Sequence, residues 1–143
     1  MIVKQILEAK GGDVATAAPS ATIAHVVAML AKRRIGAVVI TGPDDRIVGI
    51  ASERDVVRAL DGEGPSVLES PVSTIMTRTV ATCSQEASIA DLMRQMTDGK
   101  FRHLPVVVGS RLAGIISIGD VVKYRLSELE HETNAMRDYI ATA

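Results

Sequence analysis

Aromatic residues are nearly absent from this sequence. Of its 143 residues only Phe101, Tyr124 and Tyr139 are aromatic, and there is no Trp. A chain of this length buries roughly 70% of its unfolded surface on folding, so a core of ordinary size is available. Because apolar residues make up 47% of the chain, that core must be built from Val, Ile, Leu, Ala and Met.

The sequence also lacks an excess of charge of either sign. It has 16 basic and 17 acidic residues, which give a net charge of −1. Proteins that bind nucleic acid place many Lys and Arg against phosphates, and those that bind single strands add aromatic platforms. Since neither is abundant here, we expect no nucleic-acid partner.

Cysteine and long apolar runs are scarce as well. Cys83 is the single cysteine, so the chain cannot form an internal disulfide, which is typical of a reducing compartment. The longest apolar runs fall short of the roughly 18 residues that a transmembrane helix needs, so we expect no membrane partner. Charges at Lys4, Glu8 and Lys10 interrupt the apolar N-terminal stretch, which is unlike a signal peptide. These features predict a cytoplasmic protein.

An internal repeat organises the sequence. GIASERDVV, which begins at Gly49, resembles GIISIGDVV, which begins at Gly114. Shorter blocks upstream repeat in the same order, and one of them places Gly36 on His103. Several blocks in one order favour duplication over chance. The repeat predicts two domains, which are residues 1–68 and residues 69–143.

Each repeat has the pattern of an α/β (α+β) unit: strand, helix, strand, turn, strand, helix. Apolar residues at helical spacing predict the first helix, and two short apolar runs around a turn predict a hairpin. In the first repeat we expect a helix at 23–32, a hairpin of 37–40 with 47–51, and a helix at 53–60. In the second repeat we expect a helix that includes Ile89, Leu92, Met93 and Met96, a hairpin of 104–108 with 112–117, and a helix from 119 onward.

The last helix is longer than its counterpart and carries an apolar stripe. The stripe consists of Val122, Leu126, Leu129, Met136 and Ile140, with charged residues off it. It fits either the helix's own domain or a second subunit. Because it lies beyond what two repeats need, we favour a subunit contact.

A Ser-x-x-Asp pattern stands between a strand and a helix in each repeat, as Ser52 with Asp55 and Ser117 with Asp120. In a capping box, Ser caps the helix and the acid bonds back to the cap. In a nucleotide site, the carboxylate binds a ribose diol and the helix N-terminus binds phosphate. The pattern alone leaves both interpretations open. The cations near the two patterns are Arg54, Arg58, Arg102 and Lys123.

The two patterns, preceded by RRIGAVVI and KFRHLPVVV, resemble those of two tandem cystathionine-β-synthase-type (CBS) domains, a pair called a Bateman module. The resemblance covers nearly the whole chain. It implies two β-α-β-β-α units packed sheet to sheet about a pseudo-two-fold axis, with two clefts for adenosine ligands between them. The implied ligand-binding residues are Thr16, Ile35, Gly36, Ala37, Val38, Ser52, Arg54 and Asp55 in the first repeat, and Thr82, Arg102, His103, Leu104, Pro105, Ser117 and Asp120 in the second.

The resemblance also implies roles for these residues. Asp55 and Asp120 would hold ribose hydroxyls, and Arg54 would touch phosphate, as would Ser52 and Ser117. Arg102 and His103 would face phosphates, although a purely structural histidine fits position 103 equally well. The base would be lined by Thr16, Ala37 and Val38 in one cleft, and by Thr82, Leu104 and Pro105 in the other.

AMP and NAD or NADH are the favoured ligands by this resemblance, with ATP, ADP and S-adenosylmethionine within the family's range. Arg54 has Gly119 as its counterpart, so the clefts should differ in charge and in room. This difference predicts two different occupants, such as a mononucleotide and a dinucleotide.

The sequence therefore predicts a regulatory module that senses adenine nucleotides and acts on a separate effector protein. The resemblance and the C-terminal stripe together predict a homodimer, formed partly through the last helix. The alternative is a structural dimerisation or scaffold module with non-functional clefts. No nucleophile with an oriented base and no metal-binding spacing is recognisable, so we expect neither catalysis nor a metal cofactor.

Overall fold

The computed structural model describes residues 1–142, which form five α-helices and five β-strands. The bounds agree closely with the elements expected from the repeat, and they add a helix at the N-terminus. The elements are α1 (Val3–Lys10), β1 (Thr16–Ala17), α2 (Ile23–Arg33), β2 (Ala37–Thr41), β3 (Ile47–Ser52), α3 (Glu53–Glu63), α4 (Ile89–Gly99), β4 (His103–Val108), β5 (Arg111–Ser117) and α5 (Ile118–Thr142).

The strands form two small sheets, one in each repeat. In the first sheet β1 pairs parallel with β2, and β2 pairs antiparallel with β3. In the second sheet β4 pairs antiparallel with β5, and the place of a third strand is taken by a parallel bridge between Cys83 and Val106. The mixed arrangement of helices and strands in two small sheets confirms the predicted fold class.

Polar side chains cap the N-termini of α2 and α4 and fix the residue at which each helix begins. Apolar spacing alone does not define that residue. The Thr22 hydroxyl accepts the His25 N–H at 3.1 Å at the start of α2. Ser88 and Asp91 form a reciprocal capping box at the start of α4. These bonds satisfy amide groups that have no partner within the helix, so the buried stripes of α2 and α4 begin at defined residues.

The two hydrophobic cores do not coincide with the two sequence repeats. Val3 and Ile6 of α1 are fully buried in the core of the second repeat, although they belong to residues 1–68. In return, Val72 and Met76 pack in the core of the first repeat. The division into residues 1–68 and 69–143 remains a prediction from the sequence, and Ala143 lies outside the described residues. Packing crosses that division in both directions.

Glycine makes these exchanged contacts possible. A Cβ atom at Gly114 of β5 would lie 2.6 Å from Leu7 Cδ2, and one at Gly49 of β3 would lie 2.5 Å from Met76 Sδ. Both distances are far below van der Waals contact, so a side chain at either position would displace its neighbour. The glycine of each Gly-Ile motif thus lies where a segment from the other repeat packs across a strand.

The strand register corrects one detail of the repeat alignment. Ala37 lies opposite Ser52 in the first hairpin, and His103 lies opposite Ser117 in the second. His103 is therefore the counterpart of Ala37, and the alignment of Gly36 on His103 is wrong by one residue. A one-residue shift in a strand moves every side chain to the other face. The corrected register makes Val38 and Leu104 counterparts, and both are fully buried.

Helix α5 extends far beyond the second core. It has 25 residues and is about 37 Å long, but Val121 is its only buried residue. All five residues of the predicted stripe are exposed, from Leu129 at 41% to Ile140 at 67%. The stripe therefore does not pack on its own chain among residues 1–142. No helix in this part of the chain has the length and apolar character needed to cross a membrane.

Candidate functional site

A cavity of about 730 Å³ lies between the two repeats. Its walls come from three segments: the start of α3 with neighbouring residues, the linker that enters the second repeat, and the end of α4 with the start of β4. The lining residues are Gly36, Ile50, Ser52, Glu53, Arg54, Asp55 and Arg58 from the first segment, Thr77, Thr79, Val80 and Ala81 from the second, and Gly99, Lys100, Phe101, Arg102, His103 and Ile118 from the third and α5.

Asp55 presents one free carboxylate oxygen to this cavity. Its Oδ2 atom accepts the Ser52 N–H at 2.9 Å and the Ser52 hydroxyl at 3.1 Å, which completes the capping box of α3. Its Oδ1 atom is met only by the Thr77 hydroxyl at 3.5 Å, which is the outer limit of a hydrogen bond. Capping and ligand binding are therefore compatible, because each uses a different oxygen.

The linker supplies free backbone groups beside the carboxylate. Thr77 forms a two-bond bridge with Ile50 at 3.0 and 2.9 Å, which fixes the start of this segment. From there, Val80 and Ala81 run along the cavity, and their N–H and C=O groups make no hydrogen bond among residues 1–142. Free amide groups beside apolar side chains suit the edge of a planar heterocycle.

Four cations border the cavity, and none of them forms an ion pair among the residues described. They are Arg54, Arg58, Lys100 and Arg102. A smaller cavity of about 260 Å³, which shares Arg54, Lys100 and Arg102, continues the first. The carboxylates of Glu53 and Asp55 also line the cavity, so the charge of its lining is net positive, which favours an anionic ligand.

His103 stands in the cavity wall against the backbone at Gly36. A Cβ atom at Gly36 would lie 3.0 Å from the His103 ring, so the absence of a side chain there lets the imidazole occupy this place. Burial lowers the pKa of His103 below its ordinary value, and the nearby Arg102 lowers it further, against an opposing effect of Glu53. The imidazole is therefore neutral at pH 7 in the folded protein.

The lowered pKa of His103 predicts a loss of stability in mild acid. The unfolded chain takes up a proton near the ordinary pKa of about 6.5, whereas the folded protein resists it until a lower pH. The free energy of unfolding should therefore fall as the pH drops from 6.5 toward the folded-state pKa, with no contribution above 6.5. Urea unfolding at pH 7.5 and 5.5 measures this difference (about 1.4 kcal/mol for each pKa unit). It should shrink in His103→Gln, and an equal difference in both proteins would contradict the assignment.

The second cleft, around Asp120, is built differently. Asp120 caps α5 with Ser117 as Asp55 caps α3 with Ser52, and its Oδ2 atom accepts the Ser117 N–H at 2.9 Å. The same oxygen accepts the Lys10 ammonium at 2.6 Å. Partial burial raises the pKa of Asp120, but the bonds from Lys10 and the Ser117 backbone outweigh it, and the pKa lies below its usual value. Neither cavity described above is lined by Ser117 or Asp120.

The structure brings six of the residues implied by the sequence resemblance to one cavity: Gly36, Ser52, Arg54, Asp55, Arg102 and His103. The others do not line it. Val38 and Leu104 are fully buried in the two cores, and Ala37 and Pro105 are buried in the strands beside them. Thr16 is exposed on β1. The remaining ones are partly buried outside the cavity: Ile35, which packs against the first core, Thr82, Ser117 and Asp120.

Sequence reasoning missed the linker wall formed by Thr77, Thr79, Val80 and Ala81. These residues belong to the second repeat but lie against the Asp55 carboxylate of the first, because the linker bridges to Ile50. The available signal was the similarity in sequence between VKQIL, which begins at Val3, and VSTIM, which begins at Val72. Sequence similarity identifies a repeated segment, but it does not say which repeat the segment packs against.

The geometry defines a class of protein: a pair of small α/β repeats with an anion-attracting cleft between them. The CBS domain family is matched twice, over residues 3–62 and residues 72–127, and the chain belongs to that family as a CBS domain pair. CBS domain pairs are generally regulatory modules. The family resemblance predicted from the sequence is confirmed.

Solved structures and curated relatives agree with this assignment. A CBS-domain-containing protein from Agrobacterium tumefaciens is 46% identical, with a TM-score of 0.85 over 87% of this chain and 99% of that one. A CBS domain protein from Pyrobaculum aerophilum, complexed with AMP, is 29% identical, with a TM-score of 0.80 over 93% of this chain and 99% of that one. A mitochondrial CBS domain-containing protein of Arabidopsis thaliana is 32% identical over 83% of this chain, which spans only 60% of that protein's length.

Proposed function

We propose that the cavity between the repeats binds an adenine nucleotide and that the protein is a regulatory module whose partner responds to the bound state. The observation that carries the proposal is the set of groups that line one cavity. An apolar wall with free amide groups, the Asp55 carboxylate and unpaired cations line it together. These groups match a base, a ribose and phosphates. The AMP complex of the Pyrobaculum relative supports an adenosine-type ligand.

The base and the ribose would bind at the linker side of the cavity. Ile50, Val80 and Ala81 offer apolar contact to a ring, and the free amide groups of Val80 and Ala81 can read its hydrogen-bonding edge. Asp55 Oδ1 can accept a ribose hydroxyl, because its other oxygen already caps α3. A carboxylate accepts two such bonds and therefore suits a diol.

The phosphates would bind where α3 begins, next to Asp55 and close to the cations. A helix N-terminus attracts phosphate through its free N–H groups and its dipole. Arg54 is the second residue of α3 and borders both cavities, together with Lys100 and Arg102. Four cations exceed what one phosphate needs, so we expect affinity to rise from AMP to ADP and ATP, with the pyrophosphate of NAD as a further candidate.

Thermal unfolding of ligand-stripped protein against a panel of nucleotides tests the function. The panel contains AMP, ADP, ATP, NAD⁺, NADH, S-adenosylmethionine, GMP and GTP. A ligand that binds only the folded state stabilises it by about 2.7 kcal/mol at 100 times its dissociation constant. Shifts with adenine compounds and none with guanine compounds would support the proposal. No shift with any compound would leave the structural scaffold module as the better account.

Arg54→Ala should weaken ATP binding about 10-fold or more and leave adenosine binding within about twofold. A hydrogen bond to a charged group contributes about 1.5–3 kcal/mol, and only the nucleotide carries phosphates for Arg54 to contact. Titration calorimetry with both ligands measures the difference. Arg111→Ala is the matched control, since Arg111 is exposed in the second hairpin and lines neither cavity. Equal losses for ATP and adenosine would contradict the phosphate assignment.

We also propose that the protein forms a homodimer through α5. Val122, Leu126, Leu129, Met136 and Ile140 follow the alternating spacing of four and three residues that defines a coiled-coil seam, with Thr133 in the remaining position. All five are exposed. A second copy of the same helix offers a matching seam, and the helix from residue 128 onward lies beyond the family match.

Replacing Leu126 and Met136 together by Glu should convert the dimer to single chains. Charges in an apolar seam lose hydration and find no partner there, which costs more than the remaining contacts return. Analytical ultracentrifugation gives the mass directly. Ser127→Glu adds charge to the same helix outside the seam and should leave the dimer intact. A wild-type protein that sediments as a single chain at high concentration would overturn the proposal.

A regulatory module acts on a separate partner in a particular cellular compartment. The nucleotide can bias the module only by its differential affinity for two states, and a separate effector protein would respond to that bias. No catalytic step is included. We propose a cytoplasmic location, because the single cysteine, Cys83, forms no internal disulfide, which is typical of a reducing compartment. Fractionation of the source cells tests the location.

A further inference from the structure

Asp55 and Asp120 are counterparts in the two repeats, but different groups meet them. In the first repeat the Ile50 carbonyl accepts the Thr77 N–H at 2.9 Å, and the Thr77 hydroxyl lies 3.5 Å from Asp55. In the second repeat, by contrast, a single side chain reaches the corresponding carbonyl and the capping oxygen of the corresponding carboxylate. The Lys10 ammonium donates to the Ile115 carbonyl at 2.9 Å and to Asp120 at 2.6 Å.

Lys10 reaches this place because of the exchanged N-terminal segment. Helix α1 packs in the second core through Val3 and Ile6 and ends at Lys10. The corresponding segment that packs on the first repeat forms only a short 3₁₀ turn at Val72–Thr74 before Thr77. The longer α1 thus brings a lysine to the place where a threonine stands in the other cleft.

The second cleft also lacks two of the four cations of the first, although Lys123 is the counterpart of Arg58 and Arg34 the counterpart of Lys100. Gly119 is the counterpart of Arg54 in the repeat. Gly36 is the counterpart of Arg102, because the Gly36 carbonyl accepts the Glu53 N–H and the Arg102 carbonyl accepts the Ile118 N–H. Among the residues described, the cation that forms an ion pair with Asp120 is Lys10. The two side chains are 28% and 19% exposed, so the pair is partly shielded from water.

We propose that Lys10 is a built-in occupant of the second cleft and that the chain therefore binds one adenosine ligand, at Asp55. The ammonium is bound to the capping oxygen Oδ2 of Asp120 and to the Ile115 carbonyl, so a ribose that uses Asp120 Oδ1 has to fit beside it or displace it. Displacing it breaks a partly buried ion pair, which is costly because both charges must find new partners. This inference rests on the proposed function and narrows it: the two clefts are not two nucleotide sites.

Titration calorimetry with adenosine tests the inference on the full chain. Adenosine carries no phosphate, so the missing arginines of the second cleft do not weigh against it. Wild type should bind one adenosine per chain. Lys10→Met, which keeps the aliphatic stem but removes the ammonium, should bind two. Lys4→Met, on an exposed position of the same helix, should bind one. Adding Asp120→Ala to Lys10→Met should return the count to one.

The number of adenosine molecules bound per chain distinguishes a failure of this inference from a failure of the proposed function. Two adenosines per chain in wild type would overturn the inference and leave the function standing, with no variant needed. One adenosine per chain in folded Lys10→Met would overturn the role of Lys10. No binding by wild type or by any variant, of adenosine or of ATP, would overturn the proposed function itself. Circular dichroism of each variant establishes that it is folded.

Discussion

Replacing Ile6 with alanine should lower the free energy of unfolding by about 2–5 kcal/mol, the usual result of removing a buried Ile side chain from a close-packed core. Ile6 is fully buried, and its neighbours belong to the second repeat. The loss therefore measures how firmly α1 is held by a core that lies far from it in the sequence. Urea unfolding followed by circular dichroism gives the value.

A control on the same helix separates packing from helix propensity. Lys4 is exposed on α1, and Lys and Ala differ little in helix propensity, so Lys4→Ala should change stability by less than about 0.5 kcal/mol. A similarly small effect of Ile6→Ala would mean that α1 does not pack on the second core in solution. The Lys10 contact in the second cleft would then lose its support as well.

Replacing Asp55 with alanine should weaken adenine-nucleotide binding by about 1–3 kcal/mol, or roughly 5–150-fold. Asp55 Oδ1 lines the cavity and is met only by the Thr77 hydroxyl at 3.5 Å, which leaves it able to accept a ribose hydroxyl. Without it a ribose hydroxyl would be buried with no acceptor. Because the ribose is common to all the candidate ligands, adenosine and ATP should lose affinity by the same factor, unlike the result expected for Arg54→Ala.

Asp55 also caps α3, so its removal affects stability as well as binding. Asp91 offers the same chemistry away from the cavity: it forms the capping box of α4 with Ser88 and is exposed. Asp91→Ala should thus lower stability in the same way and leave nucleotide affinity unchanged. Titration calorimetry on both variants, below their unfolding temperatures, decides the matter. Equal affinities in Asp55→Ala and Asp91→Ala would remove the ribose assignment.

Local sequence patterns were sufficient to predict most of the elements. Helix α2, expected at residues 23–32, spans Ile23–Arg33, and both hairpins lie where alternating apolar runs around turns placed them. These elements depend on spacing and on caps, which act over a few residues. Helix α1 was not predicted, because its apolar residues gain their burial from the second repeat and not from neighbours in sequence.

The candidate site was predictable only in part for the same reason. Ser52, Arg54 and Asp55 lie on a local motif, and the structure places them together in the cavity. The residues expected to line the base, such as Val38 and Leu104, are core residues, because their strands direct them into the two cores. The linker wall at Thr77 and the lysine at Asp120 arise from exchange between repeats, which a comparison of the repeats with each other cannot show.

The exchange of segments makes the repeat a poor unit of folding. A fragment of residues 1–68 would carry the apolar face of α1 with nothing to cover it, and it would lack Val72 and Met76 of its own core. We therefore expect the chain to unfold in a single cooperative transition despite its duplicated sequence. A single ancestral repeat would have had the same uncovered apolar face, and two copies would have covered it by exchanging their N-terminal segments. Fusion of two such copies would give the present chain.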